Sequence, residues 1–348
     1  MMTLFKLTQD EVFRRSVEEK LRKESGKIEY CLPKKFPIVY RYRAFSDYAI
    51  DDIILGKISL TSIGEYNDPF EGAIHRKQEQ KERMEKCEQQ WNELEKAGIG
   101  EFFSHEEFVK KEKERCSRKK HLDFDLSSYL GVKSCCFSEN NDSTLMWAHY
   151  ADENKGLCIE YDFNQLKKDS WLRKYIFPVL YTDTPMDFSD QTDDYSLDRA
   201  VLCSCLDKAK VWEYEKEWRL LDLRLLDSGE YKKRDSLKAG IKPSAVYFGY
   251  HFLRRFFVNG DKKREEETLR IKAELNRLNK LLDFIEENKI PIFFMMPDME
   301  SFHLVSCGMS VQEFRKFIQE HFRFQPPERY HHTVQKYLIE ILEEHNHD

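Results

Sequence analysis

Residues 38–45 (IVYRYRAF) alternate apolar and basic side chains with a period of two, the pattern of a strand with one polar face. Arg41 and Arg43 lie two apart, so both guanidinium groups project from the same side of that strand. Residues 48–55 read as a short amphipathic helix closed by Gly56, and residues 57–61 as a second strand. Asn67-Asp68-Pro69 then signals a turn, with Tyr66, Phe70 and Glu71 beside it. Two charged helical stretches follow, 76–97 and 104–120, the second opened by a Ser104–Glu107 capping box. Their charges nearly balance, which predicts solvated faces. At the start of the chain, Val12, Phe13, Val17 and Leu21 recur at helical spacing and predict a helix over 8–23.

Residues 132–162 are the densest stretch. An apolar strand, 132–137, ends in Ser138, and a polar turn, 139–143, follows it. Residues 145–151 (LMWAHYA) form one compact helical turn; Lys155-Gly156 breaks the chain, and 157–161 re-enters a strand. This places Ser138, Trp147, His149 and Tyr150 at element junctions, where sites are usually built. A buried Trp with a hydrogen-bonded His filling the core accounts for the pattern equally well.

The second half predicts a strand at 178–181, a polar loop at 182–198 suited to a lid, and a helix at 199–210 carrying Cys203 and Cys205. In 212–221 (WEYEKEWRLL) the residues Glu213, Glu215 and Glu217 alternate, and a strand lines all three on one face. Three like charges there require neutralising partners such as Arg41, Arg43 or Arg219, or a raised carboxyl pKa. A strand at 245–250 precedes a long amphipathic helix, 264–288, with Leu269, Ile271, Leu275, Leu278, Leu281, Leu282 and Ile285 inward. Strands at 290–296 and 302–306, a helix at 311–322 capped by Ser310 and Glu313, and a last helix at 330–344 complete the pattern.

The chain of 348 residues is 41% hydrophobic and 14% aromatic, enough for a sizeable core, while 34% charged residues imply long solvated helices around it. A net charge of -6 argues against a global nucleic-acid-binding field, although residues 115–120 (RCSRKK) are locally basic. The nine cysteines are odd in number and form no C-x-x-C pair, which disfavours a disulfide framework or a zinc ribbon and points to reduced thiols in the cytoplasm. No metal is expected. Neither a signal peptide nor a membrane span is recognisable, so a cytoplasmic protein without membrane contact is expected. The paired Arg41 and Arg43 imply either buried acids or a bound anion between them.

The segments YRYRAF, YNDPFE, CFSENNDSTLMWAHYADENKGLCIEYD and WEYEKEWRLL, in that order from Pro37 to Ser306, resemble the bacterial family called domain of unknown function 2971. Their layout is also similar to that of the ADP-ribosyltransferases: a Tyr-Arg strand, a strand ending in Phe-Ser, then Glu-x-Glu before a strand. That second resemblance implies NAD as co-substrate. It implies Arg43 or Arg41 on an NAD phosphate, Ser138 on the nicotinamide ribose, and Glu215-x-Glu217 for catalysis. Tyr66, Asn67, Trp147, His149 and Tyr150 would line the nucleotide site, with an aromatic ring stacked on nicotinamide. The family's Ser-Thr-Ser triplet is replaced here by Cys136-Phe137-Ser138-Glu139, and His149 has no counterpart.

The fold expected is α+β: a split, mainly antiparallel β-sheet core with surrounding helices and a helical C-terminal appendage. The expected organisation is an N-terminal helix in 1–30, an α+β domain over 31–308 with a helical insertion at 76–120, and C-terminal helices over 309–348. An NAD-dependent ADP-ribosyltransferase or NADase acting on a protein or nucleic-acid acceptor, in the setting of a bacterial toxin or anti-phage defence effector, is the first functional expectation. A non-enzymatic nucleotide- or protein-binding module is the second, and it requires Glu217 to pair tightly with Arg219 or Arg43. A hydrolase using His149 with Asp68 or Glu71 is a third. Metal-dependent nuclease chemistry on Asp68, Glu71 and Glu215 has no motif spacing behind it.

Overall fold

The computed structural model describes residues 36–68, 70–72, 77–96, 104–111, 132–167, 170–184, 204–222, 234–256 and 264–324. Its elements run β1 (Ile38–Arg43), α1 (Asp47–Leu55), β2 (Lys57–Ser62), α2 (Lys77–Lys96), β3 (Lys133–Ser138), α3 (Thr144–Tyr150), β4 (Leu157–Asp162), α4 (Trp171–Tyr175), β5 (Ile176–Pro178), β6 (Leu180–Thr182) and β7 (Asp207–Ala209). They continue with β8 (Glu217–Asp222), β9 (Arg234–Lys238), β10 (Ala245–Phe248), α5 (Arg264–Glu287), β11 (Ile292–Pro297), β12 (Leu304–Met309) and α6 (Val311–Phe324).

The architecture is α+β around a mainly antiparallel sheet. The main path is β12-β11-β10-β4-β1-β3-β2-β9, with β8 paired to β3 and β5 to β8, while β6 and β7 form a separate two-stranded piece. Among the described strands of the large sheet, β10–β11 is the one parallel pair. The register around β3 is what creates a site. One edge of β3 pairs with β8 along its whole length, from Lys133↔Asp222 to Ser138↔Glu217. Its other edge is shared: Ser138 faces Tyr40 of β1, whereas Ser134 and Lys133 face Thr61 and Ser62 of β2. The sheet therefore divides between β1 and β2, and Cys135, Cys136 and Phe137 face the gap. Arg41 spans it, donating from Nη2 to the Ser59 carbonyl at 2.7 Å.

Local chemistry sets the element ends. Ser46 caps α1 by accepting from the Ala49 N–H, and Gly56 stops it in the left-handed conformation (φ 58°), its N–H reaching the Asp52 and Ile53 carbonyls. Ser143 caps α3 in the same way through the Met146 N–H. Two apolar layers sandwich the sheet. The larger joins Val39, Ile58, Leu60, Leu157 and Ile159 to Leu275, Leu278 and Leu282 of α5 and Phe314 and Ile318 of α6. The smaller packs Met146 and Trp147 of α3 on Tyr42, Cys158 and Tyr247. Arg277 and Lys280 of α5 also tie down Asp47 and Asp51 of α1.

Several sequence expectations are corrected. Helix α6 is no appendage: Phe314 is fully buried against Phe248 and Phe252. Leu269 is 67% exposed and lies off the inward face of α5 that Ile271, Leu275, Leu278 and Leu282 form. Residues 207–209 are strand β7 rather than helix, since Leu180 N–H bonds Leu206 O and pulls this segment alongside β6. Residues 210–215 are a 3-10 helix, so Glu213 does not share a strand face with Glu217 and points to solvent. The helices expected at 8–23 and 330–344, the basic run 115–120, Cys203 and most of the loop 182–198 lie outside the described residues. Among the described residues, no helix is long and apolar enough to cross a membrane.

Candidate functional site

A cleft of about 770 Å³ occupies the split in the sheet. Strand β1 supplies Tyr40, Arg41, Tyr42 and Arg43; β3 supplies Ser134 to Ser138; the turn after β2 supplies Tyr66, Asn67 and Glu71. Tyr150 closes it from α3, and Lys208, Glu215 and Glu217 form its far wall.

The end nearest α1 is cationic. Arg43 Nη1 lies 3.0 Å from Asp52 Oδ2, and Arg41 Nη1 lies 3.9 Å from the same oxygen. Ser59 also donates to that carboxylate. Two guanidinium groups thus face one acid, leaving one formal positive charge in a partly desolvated wall. Burial, with Arg41 adding to it, pushes the Arg43 pKa below the usual guanidinium value, while Asp52 opposes the shift. Arg41 Nη1 is buried without a hydrogen-bond partner. The expectation of a buried acid for this pair holds: Asp52 neutralises one of the two charges.

The opposite end is anionic and tightly cross-linked. Lys208 Nζ lies 2.6 Å from Glu215, 2.9 Å from Glu217 and 3.3 Å from Glu71. Arg219, fully buried, donates from Nε to Glu217 Oε1 at 2.8 Å and from Nη2 to Glu217 Oε2 at 3.0 Å and Glu71 Oε1 at 2.8 Å. Three carboxylates against two cations leave one formal negative charge. Burial pushes the Glu217 carboxyl up, but Arg219 and Lys208 outweigh it and hold it at about 2. Burial also raises the Glu71 carboxyl; Arg219 pulls against the rise and Glu217 adds to it. The hydroxyl of Tyr150 donates to Glu215 Oε1 at 2.6 Å.

Eight of the ten residues expected from the sequence line this cleft: Arg41, Arg43, Tyr66, Asn67, Ser138, Tyr150, Glu215 and Glu217. The Ser138 hydroxyl donates to the Glu215 carbonyl at 2.6 Å and accepts from the Asn140 N–H, so it joins the end of β3 to the acidic wall. Tyr66 is held by Ser134 and stands against the Arg219 guanidinium, 5.5 Å from its ring centre. Trp147 and His149 lie elsewhere. Trp147 has no exposed surface, donates from Nε1 to the Asn141 carbonyl at 2.7 Å and meets Tyr42 edge-on, so it cannot stack on a ligand. His149 lies on the solvent side of α3 while Glu71 is buried, so they do not form an acid–base pair across the cleft. Lys208 was hidden by the helical reading of 199–210; a lysine ahead of three unpaired glutamates was its one sequence signal.

Residues 146–220 carry the domain of unknown function expected from the motifs, matching the family described as Protein of unknown function (DUF2971). The match runs from α3 into β8 and so includes Tyr150, Lys208, Glu215, Glu217 and Arg219, whereas the arginines of β1 and Ser138 precede it. Neither a curated protein nor a solved structure matches the chain.

Proposed function

We propose that the cleft binds NAD and that the protein is an NAD-dependent ADP-ribosyltransferase-like enzyme. The observation that carries this reading is the convergence of Arg43, Ser138 and Glu217, from neighbouring strands β1, β3 and β8, on one cleft. The charge distribution supports it. NAD is anionic at its pyrophosphate and cationic at its nicotinamide ring, and the cleft is cationic beside Arg41 and Arg43 and anionic beside Glu215 and Glu217. With the phosphates on the arginines, the nicotinamide ribose lies toward the acidic wall. Breaking the bond from ribose C1′ to the ring nitrogen sends the electron pair to nicotinamide, which leaves neutral, and builds positive charge on the ribose. The excess carboxylate charge in a desolvated wall stabilises that charge. The acceptor nucleophile then bonds C1′ and gives up its proton.

A specific observation favours a second reading, a non-enzymatic nucleotide-binding module. Both Glu217 oxygens are already engaged by Arg219 and Lys208, so this carboxylate points at cations of the protein rather than into the cavity. Incubating purified protein with NAD and following free nicotinamide, ADP-ribose and acceptor-linked ADP-ribose separates the two. Wild type is expected to release nicotinamide and Glu217→Gln to do so on the order of a hundred-fold more slowly. Binding of NAD without release by either protein establishes the module instead. Acceptor-linked rather than free ADP-ribose distinguishes transfer from hydrolysis.

A further inference from the structure

We propose that Lys208 is the positioning residue of the acidic wall, holding Glu215 and Glu217 side by side; its catalytic consequence rests on the reading of the cleft as an NAD site. One ammonium touches three carboxylates that arrive from three segments: Glu71 from the turn after β2, Glu215 from the 3-10 helix and Glu217 from β8. Among the described residues no other cation joins Glu215 to Glu217, because of the three carboxylates Arg219 reaches Glu217 and Glu71.

Lys208 is itself fixed. It sits in the middle of β7, opposite Tyr181 of β6, is only 6% exposed and lies 5.2 Å from the ring centre of Trp212. Burial disfavours its charge, yet Glu217, Glu71 and Glu215 together raise its pKa, so it stays an ammonium at any ordinary pH. The remaining titratable groups facing it are Arg219, which repels it, and the phenols of Tyr150, Tyr181 and Tyr214, all with raised pKa values. Without the ammonium, Glu217 and Glu71 would share Arg219 in a desolvated wall and, among the described residues, Glu215 would have no cation beside it. One of them would take a proton toward neutral pH, and Glu215 would lose its register with Glu217.

The test compares wild type with Lys208→Gln, which removes the charge and leaves a shorter polar side chain, and Lys208→Arg, which keeps the charge. Carboxyl carbon NMR follows the titration of Glu217, and the pH dependence of nicotinamide release follows the site. The Gln variant is expected to raise the Glu217 titration by about one pH unit or more and to carry the acid limb of the rate profile with it. The Arg variant is expected to keep the wild-type titration. Should the Gln variant fail to fold, the Arg variant still decides: a raised Glu217 titration despite a retained positive charge overturns the proposal. An unchanged titration and profile in a folded Gln variant also overturns it. The titration needs no NAD, so a shift without turnover in wild type removes the enzymatic reading and leaves the positioning role of Lys208 standing.

Discussion

Replacing Arg219 by methionine is expected to lower the unfolding free energy by about 3–5 kcal/mol, the usual consequence of stripping one partner from a buried ion pair. The guanidinium is fully buried. Besides both oxygens of Glu217 and one of Glu71, it donates from Nη1 to the Cys205 carbonyl at 2.7 Å. Methionine fills similar volume, so the loss reports unpaired charge rather than a cavity. The same pairing predicts acid sensitivity. Glu217 is depressed from 4.5 to about 2, so its stabilisation is present above its unfolded-state value and is lost as pH falls through that window. Glu71, raised by burial, contributes with the opposite sign. Urea titrations of both proteins between pH 2 and pH 7 check this. The variant should show a lower midpoint at neutral pH and a shallower decline in acid. Equal midpoints would contradict the ion-pair account.

A single methyl group at Gly156 is expected to be nearly as damaging, about 3 kcal/mol, and to weaken the cationic end of the cleft. A Cβ there would lie 2.2 Å from the Arg43 carbonyl oxygen and 2.8 Å from that of Ala151. Both are backbone atoms and cannot swing aside. Asp152, Glu153 and Asn154 ahead of it already hold positive φ (50°, 54° and 67°), so the turn has little freedom to adjust. The strand residue that must move is Arg43. Gly56→Ala is the matched comparison. Its nearest neighbours are 3.7 Å or more away, so only the left-handed conformation is penalised, at about 1 kcal/mol. Thermal melts of the two variants should therefore separate clearly. Similar losses at both positions would contradict the close approach of β1 to this turn.

The sequence was most informative where short-range chemistry settles the outcome. The strand in IVYRYRAF, the polar turn at 139–143, the Gly156 break and the Ser310–Glu313 capping box each act within a few residues, and each stands where expected. Glu71 was conspicuous beside its turn because a turn needs no such acid, and it is buried against Arg219. Long-range pairing was less legible. Alternating glutamates suggested a continuous strand, but Lys216 adopts a left-handed conformation (φ 43°) that separates a 3-10 helix from β8. Lys208 was missed for the same reason: its strand exists only because β6 lies beside it. Trp147 and His149 show the limit of reading chemistry from residue type. A seven-residue helix turns one inward and the other outward, and neither faces the cleft.

Calorimetric titration of NAD into the wild-type protein and into Arg43→Ala decides whether the cleft takes NAD. Saturable binding to wild type, weakened on the order of ten-fold or more by loss of the charge-assisted phosphate contact, is the predicted result. No binding to wild type, or the same affinity in both proteins, would contradict the assignment of this cleft to NAD.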